Sequence, residues 1–267
     1  MNPWPPLTLL KPGDAFPPLS RAWPAHSPAP GLVAVGGALD VPTLLAAYCA
    51  TIFPWFSEGE PILWWSPDPR MVLRPEDLRL HRSLRQAMRR LDFEVRVDSA
   101  FEAVMRGCAE PRLEQGGTWI TEPIIAAYTE LYRRGIGHCV ETWIDGELAG
   151  GLYGLAIGRI FFGESMFARR TDASKIAFVH LVEQLRRWGF GLIDCQQRTA
   201  HLASFGAAPI PRPQFLASVA CLVDWPPEGA TMGRWRFDAD LRAALCAPRG
   251  AAHPTSDARM ARDEQNR

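Results

Sequence analysis

The sequence predicts an α+β protein with a mixed sheet, a small N-terminal part and a larger C-terminal core. Three observations predict this. Strand-like runs alternate with helical patterns rather than forming one class. CVETWID and ELAGGLYGLAIG are extended runs joined at Asp145-Gly146, a tight-turn dipeptide. RIFFGESMF, an apolar-faced helix from Ala173 and LIDCQ then form a strand–helix–strand unit.

The elements follow in order. Residues 1–30 hold nine prolines and predict an extended wrap rather than regular structure. GLVAVGGALD (31–40) reads as a short strand ending in a glycine turn. Val41 to Ala50 reads as a helix with Asp40 as N-cap and Pro42 in its first turn. A stretch dense in Trp and Pro follows, with a junction expected near residue 62. Arg79 to Leu91 is an amphipathic helix striped by Leu80, Leu84, Met88 and Leu91. FEVRVD (93–98) is a strand, about Ala100 to Cys108 a helix, and Glu122 to Arg134 another helix after GGTWI. The helix from Ala173 to Trp188 takes Asp172 as its cap, buries Phe178, Leu181, Val182 and Leu185, and ends at Gly189. His201 to Phe205 begins a further turn or helix. From about residue 245 the chain is small, charged and poor in apolar residues, and reads as disordered. The expected division is 1–62, 63–240 and a tail, 241–267.

Composition narrows the function classes. A chain of 267 residues, 47% hydrophobic and 22% charged, supports a substantial core. Zero formal net charge excludes a global field for nucleic acid or membrane. Six scattered cysteines form no CxxC pair and no finger spacing, so they read as free thiols of a reducing compartment. The N-terminal stretch lacks the basic-then-apolar order of a signal peptide, and no run reaches the about 18 apolar residues of a membrane span. The expectation is a soluble, cytoplasmic protein.

Carboxylates inside apolar strands are costly unless partnered or used. Glu164 sits in FFGESMF, and Asp194 and Gln196 sit in LIDCQ. Alternation puts Leu192, Asp194 and Gln196 on one face, with Ile193 and Cys195 on the other. Phe162, Glu164 and Met166 share a face by the same rule. Neighbouring strands would bring Glu164, Asp194 and Gln196 to one cavity. An acid beside an amide can hold an ammonium, take its proton and free the amine to attack a carbonyl. No G-x-S-x-G and no local Cys/His pair competes, and Cys195 is a weak nucleophile candidate.

Two further groups stand out. Arg79, Arg82, Arg85, Arg89 and Arg90 lie on or beside one helix with no acid between Asp77 and Asp92, which points to phosphate. Trp55, Trp64, Trp65 and Trp119 flank loops rich in Gly and Pro. Trp55 and Trp119 are the expected base-stacking pair, the others interface packing. Arg186 to Gly191 matches the R-x-x-G-x-G signature of acetyl-CoA binding, but it leaves a helix instead of opening one, where pyrophosphate would meet free N–H groups. A coenzyme A-dependent acetyltransferase and a plain RNA-binding module are the rival readings.

The blocks GLVAVGGALD, IFPWFSEGEPILWWSPDPR, GTWI, GGLYG, FFGESMF, DASK, LIDCQ and HLASFGA, in this order over about residues 14–215, resemble the bacterial leucyl/phenylalanyl-tRNA–protein transferase family. The resemblance implies a small N-terminal domain joined to a GNAT-like (N-acetyltransferase-type) domain. It implies transfer of Leu or Phe, less well Met, from aminoacyl-tRNA to a protein beginning with Arg or Lys, which marks that protein for N-degron degradation. No cofactor and no metal is implied, and the expected state is a monomer without membrane contact. By position, Asp194 and Gln196 match the family's catalytic pair and Glu164 its active-site carboxylate. Trp55, Trp119, Phe161 and Met166, with Leu152 and Leu181, fall at the substrate site, and Arg79, Arg82, Arg85, Arg89 and Arg90 at the tRNA acceptor stem. Two roles stay open for Asp194, taking the proton or only orienting the amine. The chain departs from the family at Ala38 and Asp40 of GGALD, Asp172, Leu152 and Phe205, which bears on donor preference.

Overall fold

The computed structural model describes residues 4–110, 118–223 and 233–247. The N-terminal part holds β1 (Thr8–Leu10), β2 (Leu32–Gly36), α1 (Val41–Cys49), β3 (Phe53–Pro54) and β4 (Leu63–Trp65). The four strands form one sheet in the order β1-β2-β4-β3. Thr8–Leu10 pairs in parallel with Ala34–Gly36, so the proline-rich leader is not wholly irregular as expected. As expected, Asp40 caps α1, its Oδ1 accepting the Thr43 N–H at 2.8 Å.

The expected junction at 62 needs correction. Trp64 pairs with Ala34 and Pro54 in this first sheet. Its ring is fully buried, and its indole N–H donates to the Gly36 carbonyl at 2.8 Å. The small sheet therefore runs to Trp65, and the larger sheet starts at Arg70. Burial of an aromatic this large holds residues 63–65 on the N-terminal side.

The larger part comprises β5 (Arg70–Leu73), α2 (Arg82–Arg90), β6 (Glu94–Val97), α3 (Phe101–Ala109), α4 (Glu122–Arg133), β7 (Gly137–Ile144) and β8 (Glu147–Ile157). It continues through β9 (Ile160–Ala168), α5 (Ala173–Arg187), β10 (Leu192–Gln196), α6 (Ala200–Ser204), β11 (Ala208–Ile210), α7 (Arg212–Val223) and α8 (Leu241–Cys246). Seven strands form a sheet in the order β11-β5-β10-β9-β8-β7-β6. The β9–β10 pair is parallel and the others are antiparallel, which makes the sheet mixed, as the sequence predicts. The β7–β8 turn is made by Asp145 and Gly146, both at positive φ (54° and 77°), the geometry of a type I′ hairpin.

One core gathers α1, α3 and α4 on one face of the large sheet, with Phe162 and Leu192. The other gathers α2, α5 and α8, with Phe161 and Ile193. Helix α5 crosses between the two parallel strands and is buried nearly all round from Ala173 to Leu185, not along one stripe alone. Gly189 closes it at φ 74°. Asp172 does not cap it as expected, because its carboxylate pairs instead with the Lys175 ammonium at 2.7 Å.

Two further expectations change. The arginine helix begins at Arg82 rather than Arg79, because Arg79 donates its N–H to the Phe205 carbonyl and is held in an extended segment against the α6 turn. Residues 241–246 are helical, not part of a disordered tail. Leu241 and Leu245, one turn apart, are buried in the second core, and Arg242 donates to the carbonyls of Phe93 and Leu91 at 2.9 and 3.0 Å. The rest of the expected tail, 248–267, lies outside the described residues.

Candidate active site

The site forms where β9 and β10 run side by side and each loses its regular register. On β9, Tyr153 pairs with Ser165 and Gly154 with Gly163, so Glu164 is an extra residue at a bulge. A bulge shifts the two-residue period by one. Phe162 therefore packs in the first core while Met166 packs against the second. The expectation that Phe162, Glu164 and Met166 share a face is corrected accordingly. On β10, Asp194 pairs with Val72 and Gln196 with Met71, and Gln196 adopts a left-handed φ of 58°. Alternation along LIDCQ thus ends at Asp194, and Cys195 contributes to the same cavity wall as its two neighbours.

That cavity measures about 570 Å³. Leu152, Phe161, Met166, Phe178, Leu181 and Leu202 supply an apolar lining, with Trp55 and Trp119 also on its wall. All six residues expected at the substrate site, Trp55, Trp119, Phe161, Met166, Leu152 and Leu181, are lining residues. Trp55 is 42% exposed, its ring edge-on to Trp65 at 5.8 Å, and the Trp65 indole N–H donates to the Trp55 carbonyl at 2.7 Å. An exposed aromatic held this way keeps one face open to a ligand.

Glu164 lines the cavity as a partly exposed carboxylate. Its Oε1 accepts the Tyr48 hydroxyl at 2.7 Å and the Gln196 side-chain amide at 3.1 Å, and its Oε2 accepts the Tyr128 hydroxyl at 3.3 Å. The two tyrosine hydroxyl oxygens are also within hydrogen-bond distance of each other, and their two protons serve two of these three contacts at a time when Glu164 is charged. Desolvation raises the Glu164 carboxyl to about 7, against the opposing pull of the Tyr48 donor. Burial, reinforced by the Glu164 charge, pushes Tyr48 and Tyr128 well above the usual phenol range, so both keep their protons for this network.

Asp194 is placed differently. It is fully buried, and Arg70, equally buried, grips it with Nε to Oδ1 at 2.8 Å and Nη2 to Oδ2 at 2.6 Å. Oδ1 also accepts the Gln196 backbone N–H at 2.8 Å. Both carboxylate oxygens are thus committed to donors. Cys195 is held as a thiol because burial pushes it up, with the adjacent Asp194 charge adding to that.

Sequence reasoning brought Glu164, Asp194 and Gln196 together correctly but missed Arg70, Tyr48 and Tyr128. The one available signal was an arginine opening the apolar strand RMVL, which the costs of burying a charge mark as partnered. Tyr48 and Tyr128 carry no such signal on their helices.

The expected arginines lie outside the cavity. Arg79, Arg82, Arg89 and Arg90 are exposed, and Arg85 is half-buried. Arg85 donates to the Ala247 carbonyl at 3.2 Å, and Arg89 donates through Nε to the Cys246 carbonyl at 2.8 Å, so these two also cap α8. In the glycine signature, Arg186 pairs with Glu183 at 2.7 Å and Arg187 with Asp240 at 2.6 Å, at a helix end leading into a strand. Among the described residues no group of three or more His, Cys, Asp or Glu side chains is arranged to hold a metal. No described helix is long and apolar enough to cross a membrane.

Residues 72–220 match the family described as leucyl/phenylalanyl-tRNA protein transferase, and residues 37–68 match its N-terminal domain. The chain belongs to the leucyl/phenylalanyl-tRNA protein transferase family. It is therefore an aminoacyltransferase by membership. A family protein of Nitrosomonas europaea is 57% identical over 84% of this chain and 92% of its own length. One of Chromobacterium violaceum is 57% identical over 82% and 91%. Among solved structures, a GCN5-related N-acetyltransferase from Kribbella flavida is similar at a TM-score of 0.31 and 14% identity, over 62% of this chain and 59% of that one. The C-terminal domain of a putative lysylphosphatidylglycerol synthetase from Agrobacterium fabrum scores 0.34 at 15% identity, over 64% and 56%. The α+β class rests on the sheet order described above.

Proposed function

We propose that the cavity receives the terminal aminoacyl-adenosine of a charged tRNA and that the chain transfers Leu or Phe, less well Met, to the N-terminal amine of a protein beginning with Arg or Lys. A product of this kind carries a new bulky N-terminal residue, the mark of N-degron degradation. The observation that carries the reading is Glu164, a carboxylate with a raised affinity for protons, on the wall of a cavity with a large apolar side and beside the Gln196 amide.

The apolar wall of Leu152, Phe161, Met166 and Leu181 suits a branched or aromatic donor side chain, and Trp55 and Trp119 suit the adenine. The acceptor arrives as an ammonium. Glu164 takes one of its protons, and the freed amine attacks the ester carbonyl carbon. The new C–N bond forms as the bond from that carbon to the ribose oxygen breaks, and the ribose oxygen leaves with a second amine proton. Nitrogen thus passes from three protons to one, with one proton on Glu164 and one on the ribose hydroxyl. The donor is already activated as an ester, so ATP and metal are not required. Asp194 orients rather than accepts, because both its oxygens are occupied by Arg70 and the Gln196 N–H. Holding amine and ester together supplies much of the rate.

Arg79, Arg82 and Arg90 offer exposed charge to the acceptor-stem phosphates, with Arg89 and Arg85 at the border with α8. Incubating the protein with labelled Leu-tRNA and an Arg-initiated peptide tests the reading. Label on the peptide is expected, and label remaining wholly on tRNA would overturn it. Acetylation of that peptide from acetyl-CoA would instead select the rival acetyltransferase reading.

A further inference from the structure

Arg70 is a fully buried guanidinium, which is rare for arginine and needs several compensating partners. Three of its N–H groups go to oxygen: Nε and Nη2 to the two oxygens of Asp194, and Nη1 to the Thr51 carbonyl at 3.2 Å. Its carbon centre lies 4.7 Å from the Phe53 ring centroid and 4.9 Å from that of Phe215. One side chain thus joins the loop before β3, strand β3 itself, helix α7 and strand β10.

The consequence runs along β10. Asp194 Oδ1 shares itself between Arg70 and the Gln196 N–H, and Gln196 stands at φ 58°, a region that non-glycine residues adopt only when held there. That conformation aims the Gln196 amide at Glu164 Oε1, 3.1 Å away. A chain of contacts therefore leads from Arg70 through Asp194 and Gln196 to the cavity carboxylate, while Arg70 itself is absent from the cavity wall.

We propose that Arg70 is a positioning residue of the transfer reaction: through Asp194 it fixes the Gln196 turn, and through that turn it sets the amide–Glu164 contact against which the amine is placed. This rests on the reading of the cavity given under Proposed function. Lysine cannot substitute, because a point charge on a flexible stem neither makes the two-pronged contact nor stacks between two rings.

A structural strut and a positioning residue differ in what restores them. Replacing a buried ion pair by apolar side chains commonly keeps or raises stability. The double variant Arg70→Met/Asp194→Leu is therefore expected to melt close to wild type and to bind a non-hydrolysable phenylalanyl-adenosine amide within about 3-fold. Its kcat is expected to fall at least about 100-fold, because the Gln196 turn is left without its acceptor. Recovery of kcat to within about 3-fold of wild type in this folded variant would overturn the proposal.

Arg70→Lys guards against a double variant that fails to fold. It is expected to keep KM and to lower kcat by about 10-fold or more, and an unchanged kcat would count against the proposal. A readout independent of activity is the Gln196 side-chain amide resonance, assigned with Gln196→Ala. In wild type it should move as Glu164 titrates, and in Arg70→Lys that response should vanish; a response of equal size in both proteins overturns the inference. If wild type transfers no amino acid, the functional reading fails, and the resonance still tests the contact chain.

Discussion

Tyr48, on α1, donates its hydroxyl to Glu164 on β9 at 2.7 Å, which ties the small N-terminal part to the cavity carboxylate. The contact lowers the cost of a charged Glu164 while burial raises it, and burial is the larger influence. Which of the two protonation states the carboxyl holds near neutrality follows from this balance.

Glu164 at about 7 has to be deprotonated to accept the amine's proton, so the transfer rate should rise as pH rises through about 7. Glu164→Gln should remove this limb and lower kcat by about 100-fold or more. A pH profile of single-turnover transfer in both proteins checks it, and a limb that survives in Glu164→Gln would move the titrating group elsewhere.

Stability should carry the opposite sign. A carboxyl with a raised folded-state affinity binds its proton more tightly folded than unfolded, so its contribution is full below the ordinary carboxylate range and is lost as pH climbs to about 7. Wild type should therefore lose stability relative to Glu164→Gln between about pH 4.5 and 7, by roughly 3 kcal/mol at most. Urea melts of the pair at pH 5 and pH 8 measure this difference directly.

Tyr48→Phe removes a donor to the charged carboxylate, and such donors lower the carboxyl's pKa. The rising limb of the rate should shift to higher pH, while binding of an aminoacyl-adenosine amide stays within a few-fold. An unshifted limb would show that Tyr48 does not sense the titrating group.

Asp194→Ala leaves the buried Arg70 without its carboxylate, so it should cost about 3–5 kcal/mol of stability. The transfer rate should fall far more than the affinity for charged tRNA. Thermal melts together with separate kcat and Kd measurements decide this, and near wild-type turnover would remove Asp194 from the mechanism.

The arginine surface should divide into two groups. Arg82→Ala and Arg90→Ala should weaken tRNA binding and reduce the slope of log K against log salt by about 1 for each phosphate no longer neutralised, with little change in melting temperature. Arg85→Ala and Arg89→Ala should in addition lower the melting temperature, because they release the last carbonyls of α8. Equal salt slopes in wild type and in the Arg82 and Arg90 variants would make that face merely solvated.

Much of the fold was readable along the chain. The Asp145-Gly146 hairpin, the Asp40 cap, the Gly189 helix end and the strand–helix–strand unit are local features, encoded by residues within a few positions of one another. The acids in apolar strands were legible for the same reason, as were the six residues of the cavity wall through the family resemblance. Leu241 and Leu245 were not read as a helix because a six-residue segment with two leucines gains its burial from packing against α5 and α2.

What the tertiary structure alone decided is the different surroundings of the two acids. The sequence marks Asp194 and Glu164 alike as costly charges in apolar strands, and the family resemblance makes Asp194 with Gln196 the catalytic pair and Glu164 a further active-site carboxylate. The strand order β5-β10-β9 sets Arg70 beside Asp194, 124 positions away, and the packing of α1 and α4 sets Tyr48 and Tyr128 beside Glu164. Two bulges then aim Glu164 and Gln196 into one cavity, which a strict two-residue period does not foresee. The sequence determines which groups are available. Partners brought in from distant strands and helices determine the setting of each acid: the Arg70 guanidinium holds Asp194 in the interior, and two tyrosine hydroxyls surround Glu164 on the cavity wall.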